Sequence, residues 1–386
     1  MLELPPDAQT AVAMDLGTTR SSVATVVDGR VSVLKLPGGD WDIPSVVGFR
    51  SDGSVVLGKV ARRMLSSDPQ NAIASPKRLL GRRIDEPALG PYLAQLGMTA
   101  TAGPRNDIVL HSHGRSLSVT EACAHLLKLL RLVAERSLGR PVREVILTVP
   151  ATSGERQLSA LSAAAAQADL RVLEFLHEPV AASMACIFDE ACEGRIAVYD
   201  FGGGTFDFSV VELGGETMQV IATAGDSWLG GDDFDAALAA AAANACWQQH
   251  KVELRNQAHF WQALLVAAEA AKRQLTEAEE AVVRLPGAIH KGDTESAFEF
   301  PVTRRQFAEL TRGIVQRSLE SCEEALVSQK MAPQDVNVVY LSGGTSYIPS
   351  VQESVANFFG KAPRIAIPPE RMVVVGAAVH GALTGA

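Results

Sequence analysis

Residues 196–207 read I-A-V-Y-D-F-G-G-G-T-F-D, and residues 11–19 read A-V-A-M-D-L-G-T-T. The two stretches share one design. Four apolar residues lead to an aspartate, Asp200 or Asp15, and the chain then turns through glycine into threonine. The apolar run predicts a buried strand with the carboxylate at its end. Glycine lets backbone N–H groups approach an anion closely, and a nest of such groups binds phosphate. A strand-end aspartate can hold Mg²⁺, usually through water. Two such turns, far apart in the chain, imply two lobes that clamp one nucleotide between them.

The second turn is the more specific. Gly202, Gly203 and Gly204 lie between Asp200 and Asp207, whose carboxylates repel each other unless a cation sits there. Thr18 and Thr19 supply hydroxyls to phosphate oxygens beside Gly17, and Thr205 is placed to do so for the terminal phosphate. No G-x-x-x-x-G-K-[ST] occurs, so the site is not a P-loop.

A chain of 386 residues exceeds one ordinary core, as two lobes require. Hydrophobic content of 47% against 20% charged is globular, and a net charge of −9 argues against nucleic acid as partner. The five cysteines (123, 186, 192, 246, 322) form no C-x-x-C, which fits isolated thiols in a reducing compartment. The histidines form no H-E-x-x-H. The start, M-L-E-L-P-P-D, lacks a basic leader, and no apolar stretch is long enough for a bilayer. A cytoplasmic monomer without membrane contact is expected.

Strand-like runs alternate with helical ones, which predicts an α/β fold. Residues 11–14, 22–27 and 31–36 read as a meander turning at Asp28-Gly29. Ser118 and Glu121 open a long helix that Gly139 stops. Strands are expected at 145–149 and 171–176, around a helix at 155–168. The second half repeats the plan: strands at 196–200, 206–213 and 217–223 with a Gly214-Gly215 turn, then helices at 232–250 and 258–276. Short strands near 281–285 and 297–302 precede a helix opened by Thr303 and Gln306. A strand at 337–341 leads to Gly343-Gly344 and a helix from Pro349, and a final helix follows Gly376.

Several motifs recur in order: D-L-G-T-T, S-P-K-R-L-L-G-R-R at 75–83, T-V-P-A at 148–151 and H-E-P-V-A-A at 177–182. D-F-G-G-G-T-F-D, A-G-D-S-W-L-G-G-D-D-F-D at 224–235, E-A-A-K-R at 269–273 and L-S-G-G-T at 341–345 follow. From about residue 11 to 385 the chain resembles the nucleotide-binding domain of the seventy-kilodalton heat-shock chaperones, the bacterial DnaK type above all. The resemblance implies an actin-like two-lobed ATPase fold with a central nucleotide cleft, each lobe a mixed sheet flanked by helices. It places lobe I at 1–190 with an inserted subdomain at about 45–115. Lobe II is placed at 191–366 with a helical subdomain at about 231–312, and a C-terminal helix at 367–386 returns to lobe I.

The resemblance also implies roles. Slow hydrolysis of ATP to ADP and phosphate would couple nucleotide state to polypeptide binding, with Mg²⁺ and K⁺ as cofactors. Lys77 would reach the γ-phosphate and its attacking water, and Glu178 would position water. Asp15, Asp200 and Asp207 would order the metal shells. Glu269, Lys272, Arg273 and Thr276 lie at i, i+3, i+4 and i+7 of one helix. Read from spacing alone they are a salt-bridged surface face; the resemblance gives them ribose and adenine. Gly230 and Gly231 would meet the β- and γ-phosphates. Gly343, Gly344, Thr345, Tyr347, Ile348 and Glu370 would cover the adenosine side.

Some positions depart from the family pattern. Tyr347 stands where an arginine usually stacks on adenine, and Glu370 where an aspartate is usual. Glu174 reverses the charge of the arginine that serves J-domain co-chaperones. The arginine and lysine of the helix after T-V-P-A fall at Leu158 and Ser162, and the acidic strand pair keeps only Glu212 and Glu216. Weakened or rewired J-domain coupling is the expectation. The implied partners are that co-chaperone, a nucleotide exchange factor and the chaperone's own substrate-binding domain. The chain stops at G-A-L-T-G-A, where that domain would begin, and is read as a truncation, with a stand-alone nucleotide-binding protein as the alternative. The alternative function is a nucleotide-gated interaction module with little turnover.

Overall fold

The strand Gly194–Phe201 is buried from Ile196 onward, so it needs cover on both faces. A computed structural model describes Leu4 and residues 12–36, 38–189, 194–214, 217–291 and 294–385. In it this strand pairs antiparallel with Phe206–Gly214 across the glycine turn and parallel with Val338–Ser342, and Thr217–Asp226 completes the sheet. One face carries Tyr199, Phe201 and Phe206, packed edge to face with one another, and Phe201 meets Phe234 of the helix Gly231–His250 in the same way. The other carries Ile196, Val198 and Val211, which join a separate apolar cluster.

The first sheet is built likewise. Val12–Leu16 pairs parallel with Glu144–Val149 and antiparallel with Arg20–Val27, and Arg171–His177 and Arg30–Val33 flank them. Strand alternation sends Met14 and Leu16 to the helix Val119–Leu138 and sends Ala13 to the opposite face. There Ala13, Ala24 and Ile146 share one core with Ile196 and Val198 of the second sheet. The helices Glu178–Asp189 and Met372–Thr384 supply the rest of that core, so they lie between the two sheets at the base of the cleft.

Above the first sheet, two three-stranded sheets and the helix Lys59–Ser67 occupy residues 46–118. Above the second stand Gly231–His250, Ala258–Gln274 and the hairpin Glu280–Lys291/Thr294–Thr303. The two upper parts touch. Val266 packs on Val46, Ala61, Leu65 and Ala72, and Gln262 Nε2 donates to the Gln95 carbonyl at 2.7 Å.

Local signals account for most element ends. Ser118 Oγ accepts from Glu121 N–H, Gly139 closes the helix in the left-handed region, and Thr303 and Gln306 cap each other. Three expectations need correction. The last helix begins at Met372, and Gly376 lies inside it. A Cβ there would overlap the Ala181 carbonyl, so this glycine serves close helix packing and not a helix start. The helix at 258 ends at Gln274, which leaves Thr276 in the following turn. The two short strands near 281 and 297 are one long bulged hairpin. Gly215, Glu216 and Cys192 lie outside the described residues. Cys123, Cys246 and Cys322 are buried in the cores, and Cys186 is buried against Met372. No described helix is long and apolar enough to cross a membrane.

Candidate functional site: a nucleotide cleft

Every carbonyl of the glycine turn has a donor. Gly202 O accepts from Gly231 N–H at 3.1 Å and Thr345 Oγ1 at 2.8 Å. Gly203 O accepts from Asp232 N–H at 2.7 Å, and Gly204 O from Arg78 Nη2 at 2.9 Å. Among the described residues, the N–H groups of Gly203 and Gly204 meet no protein acceptor. Polar backbone spent on one side and open on the other is a cradle for an anion. The glycines are sterically required. A Cβ on Gly203 would overlap the Thr19 side chain, and one on Gly204 would overlap Thr18 and lie 2.6 Å from Arg78 Nε. The two turns read from the sequence are thus brought face to face, threonines against glycines.

Three carboxyl groups, Glu178, Asp15 and Asp207, act on one ammonium beside this cradle, and Asp200 adjoins them. Lys77 Nζ donates to Glu178 Oε1 at 2.9 Å, with the two side chains 12% and 11% exposed. Burial pulls the Lys77 ammonium down, but Glu178 and Asp15 outweigh it and the net shift is upward. Asp15 accepts from Thr148 Oγ1 at 2.7 Å, yet burial and then Glu178 push it up to about 6. Asp200 accepts from Ser342 Oγ at 3.0 Å and is pushed well above the carboxylate range by burial, Glu178 and Asp207. Burial and Glu178 raise Asp207 to about 7, and its Oδ1 is buried without a donor. Carboxyl groups that crowd one another out of ionisation fit a missing positive charge. Among the described residues no three potential ligands converge tightly enough to hold one ion directly. These acids therefore suit a hydrated cation held through its waters.

The remaining candidate residues divide. Glu269 forms an ion pair with Arg62 of the opposite upper part, with one bond of 3.0 Å; burial raises its pKa, but Arg62, Lys272 and Arg273 together bring the net shift down. Lys272 turns inward, donating to the Gly231 carbonyl at 2.9 Å and to Asp235 at 2.8 Å. Arg273 is 62% exposed and only 4.0 Å from Glu269. Thr276 caps the Arg273 carbonyl at 2.7 Å. Glu269, Lys272 and Arg273 share one face of the helix, where both cations act on Glu269, while Thr276 lies in the turn beyond its end. Gly230 packs on the Gly203–Gly204 backbone, and its N–H donates to Asp233 at 2.8 Å. Both Gly230 and Gly231 thus shape the glycine turn.

On the other side of the cleft, Gly343 must be glycine, with φ of 77° and a Cβ position 2.6 Å from Asp200 Oδ1. Gly344 faces open space. The Tyr347 ring is 38% exposed and its hydroxyl donates to Glu370 at 2.9 Å. Ile348 is a core residue of the second lobe and offers no surface to a ligand.

Residues missed from the sequence are Arg78, Asp232 and Asp233. Arg78 is buried, lies 3.6 and 3.8 Å from the two aspartates, and reaches the Gly204 carbonyl. Its place directly after Lys77 was the available signal. Its neighbours come from the other half of the chain, which spacing alone does not reveal. The model of the family described as Hsp70 protein matches residues 11–386.

Proposed function

The chain belongs to the Hsp70 family, and from that premise we propose that it binds Mg-ATP in the cleft and hydrolyses it slowly to ADP and phosphate. In the intact protein this would switch polypeptide binding through opening and closing of the lobes. The observation that carries the reading is the open pair of N–H groups at Gly203 and Gly204 beside the Lys77–Glu178 pair. A polyphosphate seated on those groups brings its terminal phosphoryl group to the ammonium and to Thr205. Lys77 then stabilises charge on the transferring group, and Glu178 orients the attacking water. No strong general base is needed, since phosphoryl transfer rests on positioning and electrostatics. Asp15, Asp200 and Asp207 would hold hydrated Mg²⁺, with K⁺ as a further counter-ion. The metal supplies Lewis-acid neutralisation of phosphate charge. The exposed Tyr347 ring, tethered by Glu370, offers the base a stacking face.

Partner surfaces follow with a change of sign. Glu174 is held by His380 Nε2 at 2.9 Å, so a partner's carboxylate that would pair with the family's arginine meets a like charge here. Stimulation by a standard J-domain protein is expected to be weak, and normal stimulation would refute this. A cytoplasmic setting suits the buried thiols.

Single-turnover ATP hydrolysis with Mg²⁺ and K⁺ tests the main reading. Wild type is expected to turn over slowly, and Lys77→Ala to lose about a hundredfold or more while still binding ATP. Tight binding without turnover in wild type would instead establish a nucleotide-gated module.

A further inference from the structure

Trp228 belongs to the second half of the chain, yet it packs against the core of the first lobe. Its ring lies 5.7 Å from the Arg78 guanidinium and 5.3 Å from that of Arg82. Tyr92 lies 5.6 Å from Arg78 and 6.0 Å from Trp228. Arg78 is thus a buried cation set against a pair of adjoining aromatic rings, with its Nη2 on the Gly204 carbonyl. Its Nε, buried and without an acceptor, faces the Gly204 Cα. Such burial is costly unless the rings, the carbonyl and the Asp232/Asp233 carboxylates compensate together. All of these except Tyr92 belong to the other lobe. Arg78 is therefore one lobe's grip on the phosphate cradle of the other.

We propose that Arg78 is a positioning residue for the glycine turn and that Trp228 holds it there, so that nucleotide leaves only after Trp228 is drawn off the guanidinium. The proposal rests on phosphate being bound at that turn. The chain of cause is short. Nη2 fixes the Gly204 carbonyl, and with it the peptide plane that carries the Thr205 N–H and anchors the end of the turn next to the open N–H groups of Gly203 and Gly204. A guanidinium reaches both rings while its Nη2 donates to the carbonyl, and a compact, strongly hydrated ammonium fits that buried place poorly. Opening of the lobes separates Trp228 from Arg78, releases the carbonyl and disorders the cradle.

Hydrogen exchange on the nucleotide-free chain reads the first half without nucleotide. The N–H groups bonded within the turn and onto its carbonyls, those of Gly202, Gly231 and Asp232, are expected to exchange about tenfold faster in Arg78→Ala, Arg78→Lys and Trp228→Ala, and near the wild-type rate in Trp228→Phe. Stopped-flow release of a fluorescent ADP reads the second half, with acceleration of about tenfold in Trp228→Ala and less than twofold in Trp228→Phe. Wild-type exchange and release in Arg78→Lys would show that charge alone suffices and would overturn the proposal. So would unchanged exchange at Gly202, Gly231 and Asp232 in both alanine variants. If Trp228→Ala fails to fold, Arg78→Lys still decides. A wild-type chain that binds no nucleotide would sink the ATPase reading, while the exchange data would still decide whether Arg78 sets the turn.

Discussion

Asp207 shows how a single side chain can carry a site's demand. It is buried beside Glu178, its Oδ1 faces no donor, and it is raised to about 7 from an ordinary 3.8. Asp15, at about 6, behaves alike. A carboxyl whose folded pKa lies above its unfolded value keeps a proton in the native state that the unfolded state has lost. Such a group favours folding at low pH, and that contribution fades as pH rises from 3.8 through about 7. In nucleotide-free, metal-free solution, wild type is thus expected to lose stability across this window relative to Asp207→Asn, whose amide does not titrate. Urea unfolding of both proteins across the window measures the difference. A gap between them that is constant with pH would mean that Asp207 is already ionised and paired. The aspartates were legible in the sequence because strand-end position and glycine context mark them. Their protonation was not, since it depends on Glu178 arriving from a different element.

At the scale of elements, what the sequence discloses depends on whether the cause is local. Ser118, Gly139, Thr303 and Gln306 act within one turn of chain, and the structure uses each as a cap. Gly376 misled because its cause is distant: the Ala181 carbonyl of the helix Glu178–Asp189 occupies the space where its Cβ would sit. Thr276 misled because heptad-like spacing says nothing of where a helix stops. The crossing of these two helices lies under both sheets, so Gly376→Val should overpack the base of the cleft and cost about 3 kcal/mol or more. Ser118→Ala should cost only about 1 kcal/mol, because water replaces the lost cap at that exposed end. Chemical denaturation ranks the two variants. A Gly376→Val protein as stable as Ser118→Ala would mean that the helices can slide apart freely.

For the whole molecule, the cleft is closed at its base by a large shared core and at its top by the small apolar contact of Val266 and a few polar ones. The top is the thinner closure, and so it is where opening should begin. Arg62 and Glu269 join the two upper parts through an ion pair whose side chains are 25% and 28% exposed. Arg20, itself bonded to Asp42, adds a second positive charge toward Glu269. Partly exposed pairs are worth about 1 kcal/mol and are weakened by salt. Arg62→Ala is therefore expected to speed ADP release by about three- to tenfold. Salt should speed release from wild type but have little effect on the variant, since the screened pair is already gone. Glu269→Gln should reproduce the loss of salt dependence, and any further weakening of affinity in it would report a direct contact of Glu269 with the nucleoside. Stopped-flow release at low and high ionic strength distinguishes these outcomes. Equal salt dependence in wild type and Arg62→Ala would place the rate-limiting contact deeper, at Trp228 and Arg78, where burial shields the charges from ions.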